Sequence, residues 1–376
     1  MQEAMTLPNR CVLDARRRRR GRERVRIALW ILSTAVALCG ASGRAAADWP
    51  ERPITIVVMY APGGGTDTVV RTLAAQMSRD QGWRINVVNR PGAAGALATD
   101  YVMHKPSDGY TLLGASNYNK YAPISGGSES KPWTDWYYMQ AATGLASWSV
   151  RPDSPFKSFA DVVAAAKRHP GEVTISTSGT GGQWHELAAL IARAAGIRLK
   201  YVPYASGQLA TLAGLSGEVD IAGGGVHEHI QFVDSGQLAS LLQTGTSDIT
   251  TPSGKVMPSI GRMLPAIREQ LPLGGAYNLG VRRNTPIGIV RQLQGAFLQA
   301  VNSDAFKQVA KEHHLSIEVR TGADADRRAA LLEVTTAELF EQLGIPGARS
   351  SKELGLPTPA QFDQWWPPRN YEPLPL

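Results

Sequence analysis

The stretch Pro53–Met77 constrains this chain more than any other. An apolar run, Ile54-Thr55-Ile56-Val57-Val58-Met59, leads into a glycine-rich turn, Tyr60-Ala61-Pro62-Gly63-Gly64-Gly65-Thr66-Asp67. Val69, Val70, Leu73, Ala74 and Met77 then recur at helical spacing. Three successive glycines at a helix start let the backbone approach a ligand closely. The first helical turn also presents unbonded N–H groups at the positive end of the helix dipole. Such an end binds anions.

The same rhythm continues along the chain. Strands are expected at 54–59, 84–88, 110–114, 173–177, 199–202, 219–222 and 238–243. Helices are expected at 67–80, 94–104, 158–168, 184–195, 207–215 and 227–235. This alternation implies an α/β fold with mostly parallel sheet. A stretch rich in Trp, Tyr and Ser over 133–150 ends in Arg151-Pro152-Asp153-Ser154-Pro155, a crossing point into a second domain. Gly274–Val281 reads as the crossing back. Domain 1 is then 48–150 with 276–346, and domain 2 is the inserted 151–275. Helices over 286–302, 304–312 and 323–343 complete domain 1. The extension 347–376, with Trp365, Trp366, Pro367 and Pro368, reads as an irregular strap over domain 1, a disordered end being the alternative.

Residues 1–47 are of a different kind. Arg16 to Arg20, with Arg22, Arg24 and Arg26, precede an apolar segment, Ile27–Leu38, and then Ala45-Ala46-Ala47. This is the layout of an export signal cleaved after Ala47. The apolar core is about a dozen residues, short of the roughly 20 that span a bilayer, so an uncleaved anchor is the lesser alternative. A lipidation signal at Cys39 is disfavoured by the bulky Leu38 before it. Ten of the 39 Lys and Arg and three of the 32 Asp and Glu fall in residues 1–47, so the remainder is electrically neutral. The basic excess that would suggest a nucleic-acid partner therefore sits in the discarded segment. Both cysteines, Cys11 and Cys39, leave with it, which removes disulfide and thiol chemistry from the mature chain.

Residues 173–195 repeat the opening unit. Val173–Thr177 alternates as a strand, Ser178-Gly179-Thr180-Gly181-Gly182-Gln183-Trp184-His185 forms the turn, and Leu187, Leu190, Ile191 and Ala194 mark a helix face. One glycine-rich turn serves packing as readily as binding. Two of them, one in each expected domain, place N–H donors and the hydroxyls of Thr66 and Thr180 in an interdomain cleft.

The order Pro62-Gly63-Gly64-Gly65-Thr66-Asp67, Asn89-Arg90-Pro91-Gly92-Ala93-Ala94-Gly95 and Asp108-Gly109-Tyr110-Thr111-Leu112-Leu113 resembles the substrate-binding proteins of tripartite tricarboxylate transporters, the Bug or TctC-like family. Ser178-Gly179-Thr180, His185-Glu186-Leu187, Val202-Pro203-Tyr204 and Leu215–Asp220 extend the likeness over about 50–340. The resemblance implies a two-domain periplasmic binding protein of the type II, Venus-flytrap kind, with no cofactor. It would close around a small carboxylate (a di- or tricarboxylate, amino acid or aromatic acid) and pass it to integral membrane transporter subunits. The implied contacts are Tyr60, Pro62, Gly63, Gly64, Thr66 and Asp67 on one jaw, with Ser178, Thr180 and His185 on the other. Ser116 and Asn117 match a third binding loop, and Tyr204 and Ser206 a fourth. The chain departs from the family at Val88, where an acid is usual, at Ala222-Gly223-Gly224-Gly225-Val226, where an aromatic residue and an acid are common, and over 249–272. These departures leave the carboxylate grip intact and place ligand identity in the distal half of the pocket.

Other classes fit less well. The Gly63 turn lacks the Lys of a phosphate-binding loop, no Gly-x-Ser-x-Gly elbow occurs, and Asp67 reads as a helix cap rather than a base paired with His185. An exported hydrolase and a ligand sensor for a membrane receptor are the remaining alternatives. His227-Glu228-His229 reads as a solvated helix start, since histidines two apart diverge on a helix. His185 is open between holding its turn and touching ligand. A pocket without Arg or Lys implies recognition by oriented amides and water, with hinge closure as the mechanism. The protein is expected to be a monomer.

Overall fold

A computed structural model describes residues 49–376. The expected export signal, with Cys11 and Cys39, lies outside them. The first sheet is built around β1 (Ile54–Val58). Helix α1 (Gly65–Gln81) follows it and leads to β2 (Ile85–Asn89), and α2 (Ala96–Met103) leads to β3 (Thr111–Ser116). Both β2 and β3 pair with β1 in parallel. Helix α1 starts at Gly65 with Gly64 as N-cap and stops where Gly82 takes the left-handed conformation at φ 68°. Its buried face is the expected one, Val69, Val70, Leu73, Ala74 and Met77.

Strand β4 (Trp136–Val150) is a single strand of 15 residues and joins two sheets. Beyond it come α3 (Phe159–Arg168), β5 (Thr174–Thr177), α4 (Gln183–Ala194), β6 (Lys200–Pro203), α5 (Gly207–Ser216), β7 (Ala222–Gly225), α6 (Val226–Ser235), β8 (Ala239–Gln243) and the small hairpin of β9 (Ile249–Thr250) and β10 (Val256–Met257). The chain returns through β11 (Gly274–Arg282), α7 (Ile287–Val301), α8 (Asp304–Glu312), β12 (Leu315–Arg320) and α9 (Gly322–Leu343). Residues 136–145 of β4 pair with β11 and β12, and residues 146–150 pair with β7 and β8, all antiparallel. The sheet is therefore mixed rather than mostly parallel, because the strands that carry the chain between sheets run against the βαβ strands. β4 changes partners between Leu145 and Ala146, a few residues before Arg151–Pro155.

β7 sits three residues beyond its expected place. The run Ala222-Gly223-Gly224-Gly225 has little strand propensity, but a Cβ at Gly223 would overlap the Ser176 carbonyl, so close packing on β5 selects glycine there. Each sheet has its own core. Val57, Leu113, Tyr118, Trp136, Tyr138 and Val334 form one, and Trp148, Val162, Ile175, Ile191, Ile221 and Leu242 the other. Each large side chain contributes about 1.5–3 kcal/mol by burial. The tail packs on the first core: Phe362 is buried, Trp365 and Trp366 meet Trp133 edge-on at 5.5 and 5.7 Å, and the Tyr371 hydroxyl donates to Asp326 at 2.8 Å.

Candidate functional site

Four helix starts converge on one small enclosed space. It is lined by Gly64, Gly65 and Thr66 of α1, Gln183 and Trp184 of α4, Ser206 and Gly207 of α5, and Glu228 of α6, with Tyr60, Ser178 and Tyr277 filling the gaps. The caps are Gly64, Gly182, Ser206 and Gly225; Ser206 accepts the Leu209 N–H at 3.2 Å, and Ser178 accepts the Trp184 N–H of α4 at 3.4 Å. The first-turn N–H groups therefore face inward with their dipoles aligned on the cavity. The space is about 10 Å³, near the minimum for one water. It is closed across the two sheets by Ala61 N–H donating to the Ala205 carbonyl at 3.1 Å and by a contact of 3.3 Å between the Tyr277 hydroxyl and His227 Nε2.

Five of the expected residues line this space: Tyr60, Gly64, Thr66, Ser178 and Ser206. The others lie outside its lining. Pro62 and Gly63 are exposed. Asp67 is buried at the third helical position, where it accepts the Gly63 N–H at 3.0 Å, Arg71 at 2.9 Å and Asn89 at 2.8 Å. Burial opposes its ionisation, but Arg71, the Gly63 amide and Asn89 outweigh that and hold its carboxyl below the usual range. Asp67 thus braces the turn from inside the helix and is not the capping residue. Ser116 is buried, with its side chain at the Tyr60 hydroxyl. Asn117 ties its loop to β11, accepting the Ala276 N–H at 2.7 Å and donating to Tyr121 at 2.5 Å.

Thr180 and His185 border a separate cavity of about 460 Å³ with Tyr201, Pro203 and Leu343. Gly179 and Gly181 take φ of 88° and 70°, and the exposed Thr180 stands between them. His185 Nδ1 accepts the Gly181 N–H at 2.8 Å, so it holds the turn. Tyr204 is half-buried at the end of β6, its N–H donating to Thr177.

The sequence reading missed Gly65, Gln183, Trp184, Gly207, Glu228 and Tyr277. His227, Glu228 and His229 are buried, not solvated. A signal was present: Gly223-Gly224-Gly225 before α6 is a third glycine-rich strand-to-helix turn. Burial opposes the charge on Glu228, yet the His227 ring beside it, at 3.6 Å, and the Gly225 N–H hold its carboxyl below the usual range. The Gln183 amide and the Tyr60 hydroxyl are buried, the amide against Tyr277 and the hydroxyl against Ser116, Ser178 and the Gln183 backbone. Among the described residues no group of three or more His, Cys, Asp or Glu is placed to hold a metal ion.

Two rings near the site couple stability to pH. Burial pushes His185 and His229 down to about 4. The unfolded chain takes up these protons near 6.5, so the stability they confer is full above that pH and is lost as pH falls from about 6.5 toward 4. Each ring steepens the loss by up to about 1.4 kcal/mol per pH unit. Glu333, pushed up to about 7 by burial, acts oppositely: its contribution is full below about 4.5 and lost as pH rises through 7. His229→Gln is therefore expected to flatten the decline of urea-unfolding free energy between pH 6.5 and 4. An unchanged slope would remove His229 from that account.

Two α/β sheets joined through β4, with helix starts meeting in a small space between them, are the arrangement of a binding-protein fold. The chain belongs to the tripartite tricarboxylate transporter family of receptors, whose family model matches residues 69–333. It is 28% identical over 304 residues to a UPF0065 protein from the tcbD-tcbE intergenic region of Pseudomonas sp. strain P51, covering 78% of this chain and 86% of that one. The fold is shared with the periplasmic binding protein BugD, at a TM-score of 0.70, 22% identity and coverage of 79% and 99% of the two chains. It is also shared with R. palustris Rpa4515 solved with adipate, at a TM-score of 0.68, 24% identity and coverage of 79% and 99%.

Proposed function

We propose that this protein captures a small carboxylate by closing two lobes on it and delivers it to the membrane subunits of a tripartite tricarboxylate-type transporter. The lobes are residues 48–150 with 276–346, and residues 151–275, and the mature chain acts in the periplasm as a monomer after cleavage near Ala47. The carrying observation is the convergence of four helix starts on one space whose wall also holds the Gln183 amide and the hydroxyls of Tyr60, Thr66 and Ser178. A bound carboxylate and its waters would take hydrogen bonds from these donors. Closure follows because the ligand touches α1 on one side and α4 on the other only when the lobes are together. The adipate complex of a protein with the same fold is consistent with this ligand class.

Thermal shift of the mature chain against dicarboxylates, tricarboxylates, amino acids and aromatic acids tests the reading. A ligand at a hundredfold excess over its Kd adds about 2.7 kcal/mol and raises the Tm. If neutral sugars or peptides raise it and no carboxylate does, the proposal fails. Gln183→Ala is expected to weaken the bound carboxylate by about tenfold. Thr180→Ala, outside the lining, should leave affinity essentially unchanged.

A further inference from the structure

An acidic side chain of the protein stands in the wall of the small space. Glu228 rises from the first turn of α6, and its carboxylate lies against Gly207, where a Cβ would overlap both oxygens. Oε1 is also 3.6 Å from the Cβ position of Gly64, and Oε2 accepts the Gly225 N–H at 2.7 Å. The starts of α1, α5 and α6 thus meet at a carboxylate that belongs to the chain itself. The Gln183 amide, 2% exposed, and the Tyr60 hydroxyl line the same space.

We propose that Glu228 is the specificity-determining residue of the clamp: it stands in for one ligand carboxylate, excludes dicarboxylates and selects a monocarboxylate carrying a protonated amine. The inference rests on the carboxylate-clamp reading and narrows it. A second carboxylate brought to this end would face Glu228 inside a water-poor cavity, and juxtaposed like charges oppose binding strongly. An ammonium there would pair with Glu228, donate to the Gln183 carbonyl and lie near the rings of Trp184 and Tyr277, which line the same space. The ligand's carboxylate is left the first-turn N–H groups of α1 with the hydroxyls of Thr66 and Ser178, the latter already accepting the Trp184 N–H at 3.4 Å. In the closed arrangement Glu228 takes the space, so the lobes must part to admit the ligand.

Matched pairs separate these chemistries: succinate with 4-aminobutanoate, glutarate with 5-aminopentanoate, adipate with 6-aminohexanoate. Calorimetric titration at pH 7 of the wild-type protein is expected to show the amino acid binding at least about tenfold more tightly than the diacid in whichever pairs bind. Glu228→Gln should erase or reverse that ratio, and Glu228→Asp should keep its direction. Equal ratios in wild type and a folded Glu228→Gln overturn the inference. So does a wild-type preference for the diacid, which needs no variant to fold. Binding of other carboxylates but of no probe pair also overturns it, leaving the clamp reading intact, whereas binding of no carboxylate at all overturns both.

Discussion

Glu186→Ala is expected to lower the free energy of unfolding by about 3–5 kcal/mol, the range for removing one partner of a buried ion pair. Glu186 lies in the first turns of α4, and its Oε1 accepts Lys120 Nζ at 2.9 Å and the Thr336 hydroxyl, while Oε2 accepts the Tyr121 hydroxyl at 2.7 Å. Lys120 is 1% exposed, so the variant would leave an ammonium with neither water nor a carboxylate. Burial already pushes Lys120 below its usual range, and the charge of Glu186 is what opposes that push. Without the acid the lysine sheds its proton more readily, which makes the loss smaller at alkaline pH. Lys120→Met with Glu186→Leu should recover much of the stability, because a buried pair exchanged for apolar side chains is often neutral. Urea unfolding of the two single variants and the double variant checks this. A single-variant loss under about 1 kcal/mol would mean that the pair is not desolvated as the structure has it. The same residue also anchors the turn that presents Gln183 and Trp184, so its loss should weaken ligand binding as well.

Local periodicity carried much of the fold. The α1 face was legible because Val69, Val70, Leu73, Ala74 and Met77 bury themselves on their own neighbours. β4 was not, since Trp136-Tyr137-Tyr138-Met139 is buried on both faces and shows no alternation, which is what a strand covered on both sides looks like. The clamp was half legible. Glycine-rich helix starts revealed α1 and α4, and their logic applied equally to Gly223–Gly225 before α6. What hid Glu228 was the absence of any local sign that Gly64 and Gly207, far away in sequence, would close over it. Thr180 and His185 lie outside the lining of the small space for a different reason: glycine conformations decide which way a turn presents its side chains, and Gly179 and Gly181 leave Thr180 exposed.

Gly65→Ala is expected to wedge the clamp open, whereas Gly64→Ala is tolerated. A Cβ at Gly65 would overlap the His227 ring and lie 2.5 Å from the Tyr277 hydroxyl. One at Gly64 would meet Ser206 Cβ at 3.4 Å and Glu228 Oε1 at 3.6 Å, ordinary contacts. His227 has nowhere to retreat: its ring is buried beside Trp184 at 6.0 Å and edge-on to Tyr277 at 5.9 Å, and it packs so tightly on Gly225 that a Cβ there would overlap it. Because Gly65 and His227 belong to different lobes, parting the lobes relieves the overlap with the His227 ring, the shorter of the two, more cheaply than repacking either core. Overpacking of this kind costs about 1–3 kcal/mol, or about five- to 150-fold in affinity for any ligand bound by the closed form. Titration with a carboxylate that raises the wild-type Tm should show that loss for Gly65→Ala and near wild-type affinity for Gly64→Ala. Small-angle scattering of the ligand-free Gly65→Ala variant should give a larger radius of gyration than the wild type. Wild-type affinity in Gly65→Ala would mean that closure does not bring α1 against His227, and the clamp geometry would have to be abandoned.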